Sequence, residues 1–308
     1  MANNMAKATR YTSELDKLFV QKAVTGFFAD NVLRAKFVGA KTVMVPDVEM
    51  SGLADYDRAN GFTTGSITVA HTPLTMSMDR ARSFQIDRED MDETGVDGLS
   101  GQVMGEFVRT RVVPEADAYV LSKLAAIATT ANQTVALGAA ESIATHAYKL
   151  FNELVNKVQD AAGYDEELVA FVNPTAYSSL MSTPELSRLI NVGDFKKGEI
   201  TTKVKSINGV SILPVSSACM KTAYEFKDGS TAGETDGGFA PTDAAQEIGM
   251  LVLPKKAARL VKKTETIRAF SPEQNQSADA YKYDYRLYYD LFVTKNKKGT
   301  IFAYTYSA

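Results

Sequence analysis

Asp90, Asp92 and Thr94 stand at alternate positions and are followed by Gly95, the first half of a calcium-binding loop. Such a loop closes with a bidentate glutamate at its twelfth position. Here that position is Gly101, so the cage lacks its last ligand. The run reads instead as an acidic lead-in to a helix, where negative charge meets the positive end of the helix dipole. Arg80, Arg82 and Arg88 lie close to Asp87, Glu89 and Asp90 in sequence. Salt bridges within or between chains are the expected use of that cluster.

Other patterns that could carry chemistry fail on one residue each. Gly193 and Gly198 have the spacing of a phosphate loop, but Glu199 stands where the lysine is needed. Gly95, Gly98, Gly101 and Gly105 follow no nucleotide-binding strand and weaken a helix start by about 1 kcal/mol each relative to alanine. His71, His146 and Cys219 lie far apart, with no local signature of a nucleophile and its base. One cysteine and two histidines make a closed zinc site unsupported and an intrachain disulfide unattainable. Lys255, Lys256, Arg259, Lys262 and Lys263 form a basic cluster, but interleaved aromatics for stacking on bases are missing. A solvated or intersubunit face is the better reading. No catalytic, cofactor-binding or metal-binding residue is therefore assigned, and no cofactor is expected.

The chain that holds these residues has 308 positions, 45% of them hydrophobic, enough for one large or two medium domains. A net charge of -3 and a pI of about 5.6 argue against a dedicated nucleic-acid binder. The first residues lack the basic start and apolar core of a secretory signal. No run of about 18 apolar residues offers a membrane span.

Residues 1–12 read as a loose tail, and Leu15, Leu18, Phe19 and Ala23 give a short helix stopped at Gly26. Thr42–Val45 is a short strand ended by Pro46. Residues 47–64 are rich in Gly, Asp, Asn and Ser. Alternation then runs through Ile67 and Val69, then Leu74, Met76 and Met78, and on to Phe84 and Ile86. We read a two-stranded projection across about 47–87. Such a hairpin is marginal alone in water, so it packs on another subunit or, failing that, on its own domain.

A long helix is expected from Asp97, with Leu99, Val103, Phe107 and Val108 on one face and a kink or break at Pro114. Its spacing resumes with Ala116, Val120, Leu121, Leu124 and Ile127. Residues 129–140 form a linker. A second long helix covers about 141–161, with Ile143, Ala147, Leu150, Leu154 and Val158 on a stripe. Leu168–Val172 is a buried strand, Asn173-Pro174 opens a short helix, and Asn208-Gly209 signals a hairpin. Residues 227–243 form an exposed loop, Ile248–Leu253 another buried strand. Residues 281–293 keep period two before a turn at 296–299 and a last strand, 301–306. The order is α+β.

Three of these segments resemble one family. Residues 68–87, TVAHTPLTMSMDRARSFQID, run into 88–94, REDMDET, and are similar to the extended loop and spine-helix start of tailed-phage coat proteins. Pro114-Glu115-Ala116-Asp117-Ala118-Tyr119, with Ser122-Lys123-Leu124-Ala125, resembles the spine helix of such a protein. Arg286–Val293 with Asn296-Lys297 resembles its C-terminal end. The likeness covers nearly the whole chain in order.

The resemblance implies an HK97-type capsid fold, α+β, with an N-terminal arm (1–40) and an extended β-hairpin loop (41–87). A peripheral domain with the spine helix would take 88–135 and about 258–300. An axial domain would take 136–257 and about 301–308. It implies a non-enzymatic major capsid protein that forms pentamers and hexamers of an icosahedral virion shell, assembled in the host bacterial cytoplasm. The implied partners are copies of itself, a separate scaffolding protein, a portal, in some phages a decoration protein, and enclosed double-stranded DNA held without sequence-specific contact. No membrane is involved. The family's namesake carries a long scaffolding segment, whereas about 40 residues precede the loop here. It also cross-links a loop lysine, and no lysine lies between Thr42 and Ser122 in this chain. The shell is therefore expected to hold together non-covalently. The residues expected at subunit contacts are Arg58, Phe62, Ile67, Val69, Leu74, Met76, Met78, Arg80, Arg82, Asp87, Glu89 and Asp90. An encapsulin-like compartment shares the fold and is the first alternative. A cytosolic α+β enzyme is the second.

Overall fold

Strand β14 (Ala280–Val293) organises half of the molecule because both of its faces are apolar at its C-terminal end. The computed structural model describes residues 23–30, 36–38, 41–59, 61–90, 99–137, 142–183, 190–197 and 200–307. On β14, Tyr283, Tyr285, Leu287, Tyr289, Leu291 and Val293 point into one core, and Tyr288 and Phe292 into another. Its antiparallel neighbours are β13 (Ala258–Phe270) and β4 (Met78–Asp87), in the order β13-β14-β4. Sequence reading missed β13, whose lysines and arginine mask its alternation.

The long helix that covers this sheet comes in three parts. Helix α1 is Leu99–Phe107, Val108–Val112 is a π-helical turn, and α2 is Val113–Thr130. The helix does not end at Pro114, although the α-helical pattern gives way to that π-helical turn just before it. Phe107, Val112 and Val113 all keep right-handed helical dihedrals. The Val113 N–H reaches five residues back to the Val108 carbonyl. That wider turn accommodates a ring that cannot donate to residue 110 and would crowd its carbonyl. Pro114 then sits in the first turn of α2, where its missing donor costs little. The expected helix start at Asp97 and the half calcium loop fall largely outside the described residues.

The other half is a seven-stranded sheet of order β5-β15-β12-β6-β9-β8-β7. Its strands are Thr134–Val135, Phe302–Tyr306, Glu247–Pro254, Leu168–Val172, Val210–Pro214, Ile200–Ile207 and Ile190–Lys197, in that same spatial order. Short apolar runs such as Leu168–Val172 have no polar face because both sides of the sheet are covered. Val169, Phe171, Leu251 and Leu253 join the core shared with α2. Leu168, Ala170, Val172, Met250 and Val252 join the core under α3 (Ile143–Ala162). The expected stripe Ile143, Ala147, Leu150, Leu154, Val158 is buried throughout.

Local signals act as expected in this half. Asn173 caps α4 (Pro174–Ser182) by accepting from the Ala176 N–H at 2.8 Å, worth about 1 kcal/mol. Asn208 and Gly209 take φ of 51° and 80°, the paired positive values of a tight two-residue hairpin turn. Hairpin β7–β8, with its turn outside the described residues, absorbs Gly193 as a strand position. One expectation is corrected. The linker 129–140 contains β5, which pairs in parallel with β15. The helix expected up to Gly26 lies outside the described residues, and Gly26 itself opens a 3-10 turn, Gly26–Asp30.

Candidate assembly interface

The projection is a hairpin of β2 (Thr42–Met50) and β3 (Ile67–Thr75), nine residues a side, in one unbroken antiparallel register. Pro46 does not end β2. Strand β1 (Lys36–Val38) pairs only with Thr42–Met44, so beyond that point one edge of β2 is open, where a proline withholds no ladder bond. The hairpin therefore spans 42–75 and not 47–87. Strand β4 leaves it and pairs with β14 from Met78↔Tyr289 to Asp87↔Ala280.

Between the strands lies a 16-residue tip, 51–66, with its own order. Ser51 and Ser66 exchange hydrogen bonds at its base. Asp57 and Gly61 pair across its end, and Asp57 Oδ1 accepts from the Ala59 N–H at 2.8 Å. The rings of Tyr56 and Phe62 meet edge-on, 5.0 Å between centroids. Six of the seven large exposed hydrophobic residues among those described fall on the hairpin, Leu53, Tyr56 and Phe62 in the tip and Met50, Ile67 and Val69 on the strands beside it. Leu53 is fully exposed and Phe62 is 90% exposed. Scattered apolar residues on a surface need no explanation, but a contiguous patch marks a contact site.

The root of the hairpin is fixed. Val43 and Met76 bury against Tyr288 and Phe292 of β14. Beside them sits Asp290, fully buried. Its carboxylate accepts from the Ser77 N–H at 2.9 Å, the Ser77 hydroxyl at 3.0 Å, the Tyr119 hydroxyl at 2.6 Å and the Lys123 ammonium. Burial, together with the carboxylate it donates to, holds the Tyr119 phenol well above its ordinary pKa, so it remains a donor. A second buried carboxylate, Asp117, accepts from the backbone N–H groups of Val24 and Thr25 and from the Thr25 hydroxyl at 2.6 Å. It ties the segment before the hairpin to α2.

The residues expected at subunit contacts divide between these environments. Arg58, Phe62, Ile67 and Val69 stand exposed on the hairpin. Leu74 is half-buried at its root, and Met76 and Met78, at 2% and 8% exposure, fill the chain's own core. Arg80 is spent internally. It donates to Glu115 at 2.6 Å and to the carbonyls of Lys227 and Gly238. Of its expected acidic neighbours in sequence, Asp87 ends β4, and Glu89 and Asp90 lie beyond it. Arg82 donates to the Thr235 carbonyl at 3.1 Å. Asp87, Glu89 and Asp90 are exposed, with Asp87 capping the Glu89 N–H.

Sequence reading missed Met50, Leu53 and Tyr56, although they are the apolar residues in a segment otherwise written in turn formers. It also missed Asp290, an acid set inside an apolar run, which is the available signal for a buried hub. Cys219 is buried, and burial pushes its thiol up to about 12, as expected of a packing cysteine. His71 lies exposed on β3, and His146 marks a kink in α3 with φ of -117°. In the basic cluster, Lys255 pairs with Glu167 and Lys262 with Glu265. No group of metal-ligating side chains occurs among the described residues. No described helix is long and apolar enough to cross a membrane.

A cavity of about 470 Å³ opens between β4, the π-helical turn and the loop 227–238. Its wall is aromatic, with Phe84 edge-on to Phe107 at 4.8 Å and Phe107 edge-on to Tyr285 at 5.8 Å. Arg82, Arg111 and Asp236 stand at its polar side.

No family model matches the sequence, and no curated protein matches it. Solved structures do. The mature capsid of bacteriophage PhiM1 superposes with a TM-score of 0.55 at 16% identity, over 86% of this chain and 82% of that one. The capsid structure of cyanophage P-SCSP1u gives 0.55 at 16%, over 89% and 85%. A virus-like particle from Pyrococcus furiosus gives 0.52 at 10%, over 97% and 99%. The likeness establishes the fold: this chain has the HK97-type architecture of those shells.

Proposed function

We propose that this chain is the major capsid protein of a tailed bacteriophage, assembling through pentamers and hexamers into an icosahedral head around double-stranded DNA. The observation that carries the reading is the overhanging hairpin. It is a rigidly rooted, apolar-tipped arm that the described residues of its own chain leave uncovered, on a fold otherwise found in shells. In this reading the arm lies on an adjacent copy, a heterologous contact that closes rings and extends into a shell. Obligate contacts of this sort bury roughly 2,000–5,000 Å². A separate scaffolding protein and a portal complete the assembly in the host cytoplasm, and a decoration protein is an optional addition. Residues 1–40 act as an arm, and the spine helix with sheet β13-β14-β4 forms the peripheral unit.

The test is electron microscopy of the purified chain, alone and expressed with its scaffolding partner. Icosahedral shells are expected, and replacing 51–66 by a two-residue turn should leave folded subunits that form none. Small oligomers alone from the intact chain would overturn the reading. A match to a solved encapsulin complex from Synechococcus elongatus, with a TM-score of 0.50 at 13% identity, keeps an encapsulin-like compartment as the second reading. Protein cargo inside the particles, in place of DNA, would select it.

A further inference from the structure

We infer that the hairpin tip of one copy seats in the aromatic cavity of a second copy. There Asp55 faces Arg111, Arg58 faces Asp236, and the Phe62 ring enters between them. The inference rests on the coat reading and names the receiving site that reading leaves open.

Three observations carry it. First, the tip is preformed and uncovered. Its cross-pairing at Asp57 and Gly61 and its edge-on ring pair are in place, yet Tyr56 and Phe62 are 60% and 90% exposed. Little ordering entropy is lost when such an arm docks. Second, the cavity is the right receiver for a ring. Phe84, Phe107 and Tyr285 already meet edge-on around it, so an added aromatic extends a favourable arrangement. Its own tip does not fill it, since the tip's rings stand in solvent on their own chain.

Third, uncommitted charges of both signs stand on the tip and at the cavity. The side chains of Asp55 and Arg58 on the tip have no hydrogen-bond or ion-pair partner among the described residues. Arg111 and Asp236 at the cavity are likewise without one. The Lys227 ammonium at the cavity also has no partner among the described residues, and the remaining charged groups there are committed. Arg80 is held by Glu115, Arg82 by the Thr235 carbonyl, and Asp228 by the Ser230 and Thr231 N–H groups. An acid and a base on the arm thus meet a base and an acid at the socket, the complementarity that fixes register and excludes wrong pairings.

The test is a charge-reversal cycle in the full chain: Asp55→Arg, Arg111→Glu, and both together, with assembled fraction read by sedimentation and electron microscopy at low salt. All four positions are exposed, so subunit circular dichroism should not change. Each single variant should lower the assembled fraction roughly tenfold, and the double variant should recover most of it. Phe62→Ala should lower it as much as either charge variant. Singles that assemble like the parent, or a double no better than the singles, would overturn the pairing. If deletion of 51–66 still abolished shells in that case, the coat reading would stand and the socket would lie elsewhere. If the deletion also assembled normally, the hairpin would not be the shell-forming arm.

Discussion

Strands β3 and β14 carry the same sequence signature and meet opposite fates. Both alternate apolar with other residues, β14 through Val293 and β3 over Ile67 and Val69, with a change of phase before Leu74. On β14 the residues from Leu287 to Val293 are buried on both faces. On β3, Ile67 and Val69 are 71% and 60% exposed. Alternation states that a strand has an apolar face. It does not state whose surface that face will meet. For β14 the cover is α2 and the root of the hairpin, both in the same chain. For β3 the described residues of its own chain supply none, and the proposed cover is a neighbouring copy.

The sharpest way to break this contrast is at Asp290. Asp290→Ala removes the acceptor shared by Ser77, Tyr119 and Lys123 and leaves polar groups unpaired in the core. A loss of about 3 kcal/mol is expected, measured by denaturant unfolding of the unassembled subunit. Loss of assembly should follow, because the hairpin's root is set by the same hub. A stability unchanged by Asp290→Ala would mean that the hub does not organise the root.

Asp117→Ala should do less, about 2 kcal/mol, since it strands two backbone N–H groups and one hydroxyl at the edge of the core. Its expected mark is local. Hydrogen exchange should quicken at 23–30 and not along β14, and uniform quickening across the molecule would contradict the assigned tie.

The smallest effect on the subunit should come from the most apolar change. Ile67→Ser with Val69→Ser should alter subunit stability by less than about 0.5 kcal/mol, because both side chains are already in water. The same double variant should slow shell formation, followed by light scattering. A large loss of subunit stability would place β3 against its own chain and erase the contrast.

Much of the architecture was legible because its causes are local. The stripe on α3, the Asn173 cap, the Asn208-Gly209 turn and the apolar run Leu168–Val172 each depend on residues a few positions apart. A proline's cost depends on what surrounds it. A wider helical turn lets the helix run on through Pro114, and Pro46 was misread because, among the described residues, its edge of β2 is open. Strand β13 was missed because Arg259, Lys262, Lys263 and Arg268 interrupt its apolar residues, with Lys262 paired to Glu265 on the same strand, so the strand reads as a basic run. At the interface, Phe62, Ile67 and Val69 were legible as apolar residues in or beside a turn-rich segment. Met76, Met78 and Arg80 were assigned to the projection because the alternation continues through the junction between two sheets.

The sequence by itself determined the α+β order, the elements that bury two faces, the absence of a complete catalytic or metal motif, and an apolar hairpin in the first third. Those follow from periodicity and residue type, which act over a turn of helix or a pair of strands. Only the tertiary structure decided where the hairpin ends and β4 begins, that Asp290 gathers partners from positions 77, 119 and 123, and that an aromatic cavity forms beneath the 227–238 loop. Each of these is made by groups tens to hundreds of residues apart, and no local spacing encodes a contact that chain folding alone brings together.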